Sequence, residues 1–169
     1  MQRSFFRKIS RIQHLSYWEQ LKKLSMYSLE RRRERYNIIY VWKIMEKKVP
    51  NFSQSNSSGI QEYWNPHRGR YCTVPAINLR SPRQIQSIRD ASFGIRGPRL
   101  FNTLPAHIRN LSGCSVDAFK HKLDRYLSTV PDEPQIRGYT AMRRAESNSL
   151  LHMTQLPTSQ EEIIGRASQ

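Results

Sequence analysis

The sequence predicts a mainly α fold, a small helical module with short extended segments and a disordered tail, and three observations carry that reading. Stretches 28–48 and 116–128 each begin at a serine able to cap a helix, hold an acidic residue in the first turn, and end before a proline. Between them, Pro66, Pro75 and Pro82 exclude a long helix, because each removes a backbone donor and disfavours helical geometry just before it. After Pro131 the composition turns polar and loses its periodicity. At 169 residues the chain is long enough for one domain with its own core.

Taken in order, residues 1–13 ("MQRSFFRKISRIQ") carry four cations and no acid, and are expected to form a flexible basic arm. The module proper spans 14–130. Leu15, Trp18, Leu21 and Leu24 recur every three residues, which suits one or two helical turns lying on a core. Ser28 then caps a longer helix, with Glu30 in its first turn and Pro50 as its stop. In its second half Ile38, Val41, Trp42, Met45 and Val49 fall on one face, and Leu29, Tyr36, Tyr40 and Ile44 on the other, so this half is expected to be buried nearly all round. Residues 51–61 form a polar loop insert. Extended pieces are expected near 71–74, 77–79 and 92–95, followed by a helical turn at 100–104 and a turn started by Pro105. Ser115 caps the clearest helix, 116–128, in which Val116, Phe119, Leu123, Tyr126, Leu127 and Val130 share one arc while His121, Lys122 and Arg125 face away. Residues 131–169 read as a linker, a marginal helix within 139–156, and a disordered end.

Charge narrows the function classes. The chain holds 28 basic and 13 acidic residues, a net +15, with a pI near 10.4. The excess lies before Pro131, where 24 basic residues stand against eight acidic ones, a net +16. Such a chain attracts polyphosphates, so RNA or DNA, held through backbone phosphates, is the leading partner and an anionic membrane surface the second. No apolar run reaches the roughly 18 residues that a membrane-spanning helix needs. Cys72 and Cys114 stand far apart with no CxxC, as in a reduced intracellular protein of the nucleus or cytoplasm.

Catalytic patterns are thin. His67 with Cys72, or His107 with Cys114, offers two ligands where structural zinc takes four, so no metal site is expected. Before Pro131 the aspartates are Asp90, Asp117 and Asp124, with no clustered pair to hold the two cations of phosphoryl-transfer enzymes. Gly94 and Gly97 lack the following lysine and serine of a phosphate-binding loop. The chain is not expected to be an enzyme, and no cofactor is implied.

What remains is basic and aromatic interleaving. "ERRRERY" places Arg31, Arg32, Arg33 and Arg35 in the first turns of a helix, where cations oppose the helix dipole. "YWNPHRGRY" surrounds His67, Arg68 and Arg70 with Tyr63, Trp64 and Tyr71, a composition suited to stacking on bases and clamping phosphates. Arg96 and Arg99 flank Gly97 and Pro98. For each group the alternative is structural: aromatics packed on the core, arginines solvated or paired with a carboxylate inside the fold.

An ordered series of segments also resembles a known family. "LKKLSMYSLERRRERYNIIYVWKIME" (21–46), "RGRYCTVP" (68–75), "SFGIRGPRLFNTLPAHIRN" (92–110), "SVDAFKHKLDRYLSTVPDEPQIRGYT" (115–140) and "ESNSLL" (146–151) resemble the C-terminal region of the endonuclease–reverse transcriptase of jockey-like non-LTR retrotransposons. The series includes the aromatic-Asn-x-Leu-Pro signature, at Phe101 to Pro105, and a Phe-Lys-x-x-Leu helix at Phe119 to Leu123. The resemblance implies a parent RNA-directed DNA polymerase using Mg²⁺, and a role for this region in holding template RNA or target DNA. The paired polymerase aspartates and the endonuclease have no counterpart here, so the resemblance brings no catalytic residue and Mg²⁺ belongs to the absent domain. Two other readings stay open, a truncated remnant without independent function and a basic scaffold or membrane-surface protein.

Overall fold

A computed structural model describes residues 2–49, 60–75, 80, 82–133 and 148–153. The loop insert, the expected strand at 77–79, the linker and the terminal tail fall mostly or wholly outside those residues. Among the described residues the fold is mainly α: eight helices and one two-stranded sheet, with no helix long and apolar enough to cross a membrane.

Chain order begins with α1 (Gln2–Phe6) and α2 (Tyr17–Lys23). The stretch expected as a flexible arm is folded back instead. Phe6 and Ile12 are buried, Tyr17 donates to Gln2, and Gln20 donates to the Ile12 and Leu15 carbonyls. Two apolar side chains among the cations supply the area that holds it. Ser16 and Glu19 close a reciprocal capping box at the head of α2.

The long helix α3 (Leu29–Met45) is capped by Ser28, whose hydroxyl accepts from the Arg31 amide. It carries Ile38, Val41 and Trp42 into the core with no exposed surface. Trp42 stacks face to face on Phe119 at 4.4 Å and donates its indole N–H to the Leu111 carbonyl. Phe119 belongs to α7 (Val116–Thr129), capped by Ser115 and buried through Phe119, Leu123 and Leu127. Both capped helices therefore form where the sequence places them.

The antiparallel hairpin pairs β1 (Glu62–Asn65) with β2 (Gly69–Cys72), in register Tyr63 with Tyr71 and Trp64 with Arg70. After it come α4 (Arg83–Ala91), α5 (Phe93–Thr103) and α6 (Ala106–Arg109). Helix α5 replaces the strand expected at 92–95 and runs through Pro98 without interruption. At Gly97 α5 lies so close to α3 that a Cβ there would sit 2.9 Å from the Val41 side chain. Pro98 is buried in the same contact. Within the marginal helix expected at 139–156, one turn, α8 (Leu150–Met153), is described, with Leu150 fully buried in the core.

Candidate nucleic-acid interface

The nine side chains singled out in the sequence divide into two populations. Five turn inward or sideways onto carboxylates. Arg31 is fully buried, donates to the Pro131 and Asn148 carbonyls and lies 3.6 Å from Asp132. Arg35 grips both oxygens of Asp124, which raise its pKa further. Arg70 is buried between Glu46 at 2.7 Å and Glu62 at 2.5 Å, and also donates to the Leu111 carbonyl. Burial pulls its pKa down, and those two carboxylates more than restore it. Arg96 bridges Glu30 and Glu34, and Arg99 pairs with Asp90. Phosphate contact is thus closed to Arg31 and Arg70, which have no exposed face, and contested by a carboxylate at Arg35, Arg96 and Arg99. Nor do Glu30 and Glu34 pair with Arg33 and Arg31 along α3, as the spacing suggests; both turn to Arg96 of α5.

The other four, Arg32, Arg33, Trp64 and Arg68, are exposed. Helical phase decides the split. At about 100° per residue, Arg31, Glu34, Ile38, Val41 and Trp42 point to the core side of α3, while Leu29, Arg32, Arg33, Tyr36, Tyr40 and Lys43 share an arc of about 100° on the outside. Tyr36 is 61% exposed and Tyr40 37%, so the half expected to be buried all round leaves two aromatic rings in water. The outcome is a ridge on one helix in which two tyrosines stand between Arg32 and Arg33 at one end and Lys43 at the other. Tyr40 meets Phe93 edge-on at 5.3 Å, which holds its ring in place.

A second basic feature lies between α6 and α7, a cavity of about 520 Å³ lined by His107, Ile108, Lys122, Arg125, Tyr126 and Thr129, with no carboxylate in its wall. The sequence indicated only that Lys122 and Arg125 leave the core; that α6 brings His107 opposite them was not visible in it. The larger cavity, about 680 Å³ beside Trp18, Leu21, Met26 and Leu127, carries Asp132 and Glu133 in its wall and suits an anion less well.

The balance of charge is lopsided in a specific way. Of the 13 acidic residues, Glu146, Glu161 and Glu162 lie outside the described residues, leaving ten. Glu19 closes the α2 cap, and the other nine each pair with a cation. Against these ten carboxylates the described residues hold 24 cations, the 28 of the chain less Arg137, Arg143, Arg144 and Arg166. The field reaching solvent is positive.

The signature at Phe101 to Pro105 has an architectural reading. Phe101 and Leu104 are buried, and Pro105 starts α6. The Asn102 amide accepts from the Cys72 N–H and donates to the Cys72 carbonyl, both at 2.8 Å, so it extends the β2 ladder and clamps the hairpin to α5. Among the described residues no group of three or more His, Cys, Asp or Glu is placed to hold a metal ion.

No protein-family model matches the chain, and no curated protein or solved structure matches it either.

Proposed function

We propose that the chain is a non-catalytic nucleic-acid-binding module that holds RNA or DNA by its backbone phosphates. We further propose that it derives from the C-terminal region of a jockey-like non-LTR retrotransposon reverse transcriptase, where it helps position template RNA or target DNA. One observation carries the binding reading: every described carboxylate is engaged in a cap or an ion pair, while Arg32, Arg33 and Lys43 stand with Tyr36 and Tyr40 on the outer arc of α3. Cations without competing acids release condensed counterions when they meet phosphates, and neighbouring rings add sequence-tolerant stacking. A membrane surface fits this arc less well, since its cations bracket the two tyrosines on one face and leave no wide apolar face to enter lipid.

The ancestry rests on the ordered sequence segments. One surface feature favours a tie to the rest of such a polypeptide: α4 buries none of its residues and leaves Ile85 and Ile88 at 44% and 71% exposure. An apolar pair on an amphipathic helix suits a covering partner. The test is fluorescence anisotropy of the full chain with labelled RNA and DNA across a salt series. The expected result is affinity that falls linearly on logarithmic axes as salt rises. Salt-independent affinity, or binding to anionic vesicles without binding to nucleic acid, refutes the reading.

A further inference from the structure

The hairpin holds a series of side chains that runs from the interior to solvent. Arg109 is 4% exposed, and its guanidinium lies 3.7 Å from the centre of the Tyr71 ring. It also donates to the Arg70 and Arg68 carbonyls at 3.1 and 2.9 Å, so both ring and strand are held from beneath. Tyr71 in turn stacks on its cross-strand partner Tyr63, centres 5.7 Å apart and planes 24° apart. Tyr63 is 46% exposed. On the alternate face of the same strand Trp64 is 64% exposed.

The tip is fixed as well. The Asn65 side-chain oxygen accepts from the His67 and Arg68 amides, which sets the turn. Gly69 takes a positive φ of 80° and lies so close to Asn110 that any side chain there would collide with it. The Asn110 oxygen also accepts from the Arg70 amide. Arg68 and His67 thereby sit, exposed, at the fixed tip of the hairpin that carries the two aromatic residues. The Glu62 carboxylate, which could repel a phosphate here, is engaged by the buried Arg70, which also holds Glu46.

We infer that this hairpin is a stacking platform for unpaired bases of a single strand, with Tyr63 as the stacking face, Trp64 as a second ring on the opposite face, and Arg68 as the contact for a flanking phosphate. The inference rests on the nucleic-acid reading above and adds a preference to it. Tyr63, backed by Tyr71 and through it by Arg109, loses little freedom when a base lands on its open face, so most of the stacking energy is kept. A duplex cannot use the platform, because its base faces are already covered by their neighbours. The α3 ridge, which on that reading meets phosphates, accepts either form.

The test compares a single-stranded RNA, the same strand with abasic positions, and a duplex of equal length, each against the full chain by anisotropy. Tyr63→Leu is expected to weaken single-strand binding by about tenfold and to leave the duplex unchanged. Tyr63→Phe is expected to bind like the native chain, since the ring and not the hydroxyl is used. The abasic strand should bind the native chain about as poorly as the intact strand binds Tyr63→Leu. Equal losses on single strand and duplex, or no loss with either Tyr63→Leu or the abasic strand, overturn the platform while phosphate binding stands. Failure of the native chain to bind any of the three overturns the underlying reading instead.

Discussion

Replacing both Arg32 and Arg33 by glutamine separates a phosphate-gripping ridge from a merely soluble helix. Each phosphate neutralised on a single strand contributes about 0.7 to the slope of log affinity against log salt. If both guanidiniums contact phosphate, the double variant should have a slope shallower by about 1.4. Between about 50 and 200 mM salt, native affinity should then fall roughly sevenfold more than that of the variant. Stability should change by no more than about 1 kcal/mol, and upward, because both side chains lie on the exposed arc of α3 and Arg32 stands in its first turn against the helix dipole. The control is Arg96→Gln. Arg96 lies between Glu30 and the fully buried Glu34, so its loss should cost on the order of 2–3 kcal/mol in thermal or urea unfolding and leave the slope intact. The assay is anisotropy with a short labelled RNA at five or so salt concentrations, with unfolding curves on the same preparations. An unchanged slope for Arg32→Gln/Arg33→Gln refutes the ridge, and a larger slope change for Arg96→Gln refutes the division of the arginines.

Three further outcomes are expected. Gly97→Ala should destabilise by about 1–3 kcal/mol in urea unfolding, since its Cβ would sit 2.9 Å from the Val41 side chain and 3.1 Å from Phe93. In the native state Cys114 should alkylate well before Cys72, whose pKa burial pushes up to about 12; mass spectrometry of iodoacetamide-treated protein reads both sites. Glu34 is held above its ordinary 4.5 by burial, only partly offset by Ser149, the Leu150 amide and Arg96, so folding favours its protonated form. Native stability relative to Glu34→Gln should therefore be greatest below about pH 4.5 and decline as pH rises through the folded value, read as paired melting temperatures. A rising difference over that window is the opposite of what this carboxyl predicts.

The elements with local signals were legible in the sequence, and those fixed by distant contacts were not. Ser28 and Ser115 announce α3 and α7 because a cap is a property of three or four consecutive residues. Helix α5 was hidden, since Gly97 and Pro98 read as a loop until α3 is brought against them and the missing side chain becomes the contact. Helix α4 begins directly after Pro82, a position proline tolerates, but with no side-chain cap and no buried residue it leaves little pattern to read. The amino-terminal stretch looked like a solvated arm because its cations outnumber its apolar residues, and the burial of Phe6 and Ile12 depends on α2. Within the site, residue types were right and their directions were not. Tyr36 and Tyr40 were counted toward a buried face, whereas the core takes up the Ile38, Val41 and Trp42 side of the helix.

At the head of α3, Arg31 and Arg32 stand in the first turn, where an exposed cation acts against the helix dipole at about 0.3–1 kcal/mol, and Arg33 and Arg35 follow in the second. For Arg31 and Arg35 the fold supplies a reason. They answer Asp132 and Asp124, and Arg31 also holds the carbonyls of Pro131 and Asn148, so α3 is tied to the end of α7 and to the segment leading into α8. Arg32 and Arg33 have no such return: no ion pair of the described residues includes them, and the next residue along the arc is Tyr36. Two exposed cations that no described ion pair includes, one of them set at some cost against the helix dipole, are accounted for by something outside the fold. A polyanion reverses the sign of that cost, because the repulsion that loads the free helix becomes attraction in the complex. The same pair of residues should then be slightly unfavourable in the free protein and strongly favourable in the bound one, a combination that a purely structural role for them does not produce.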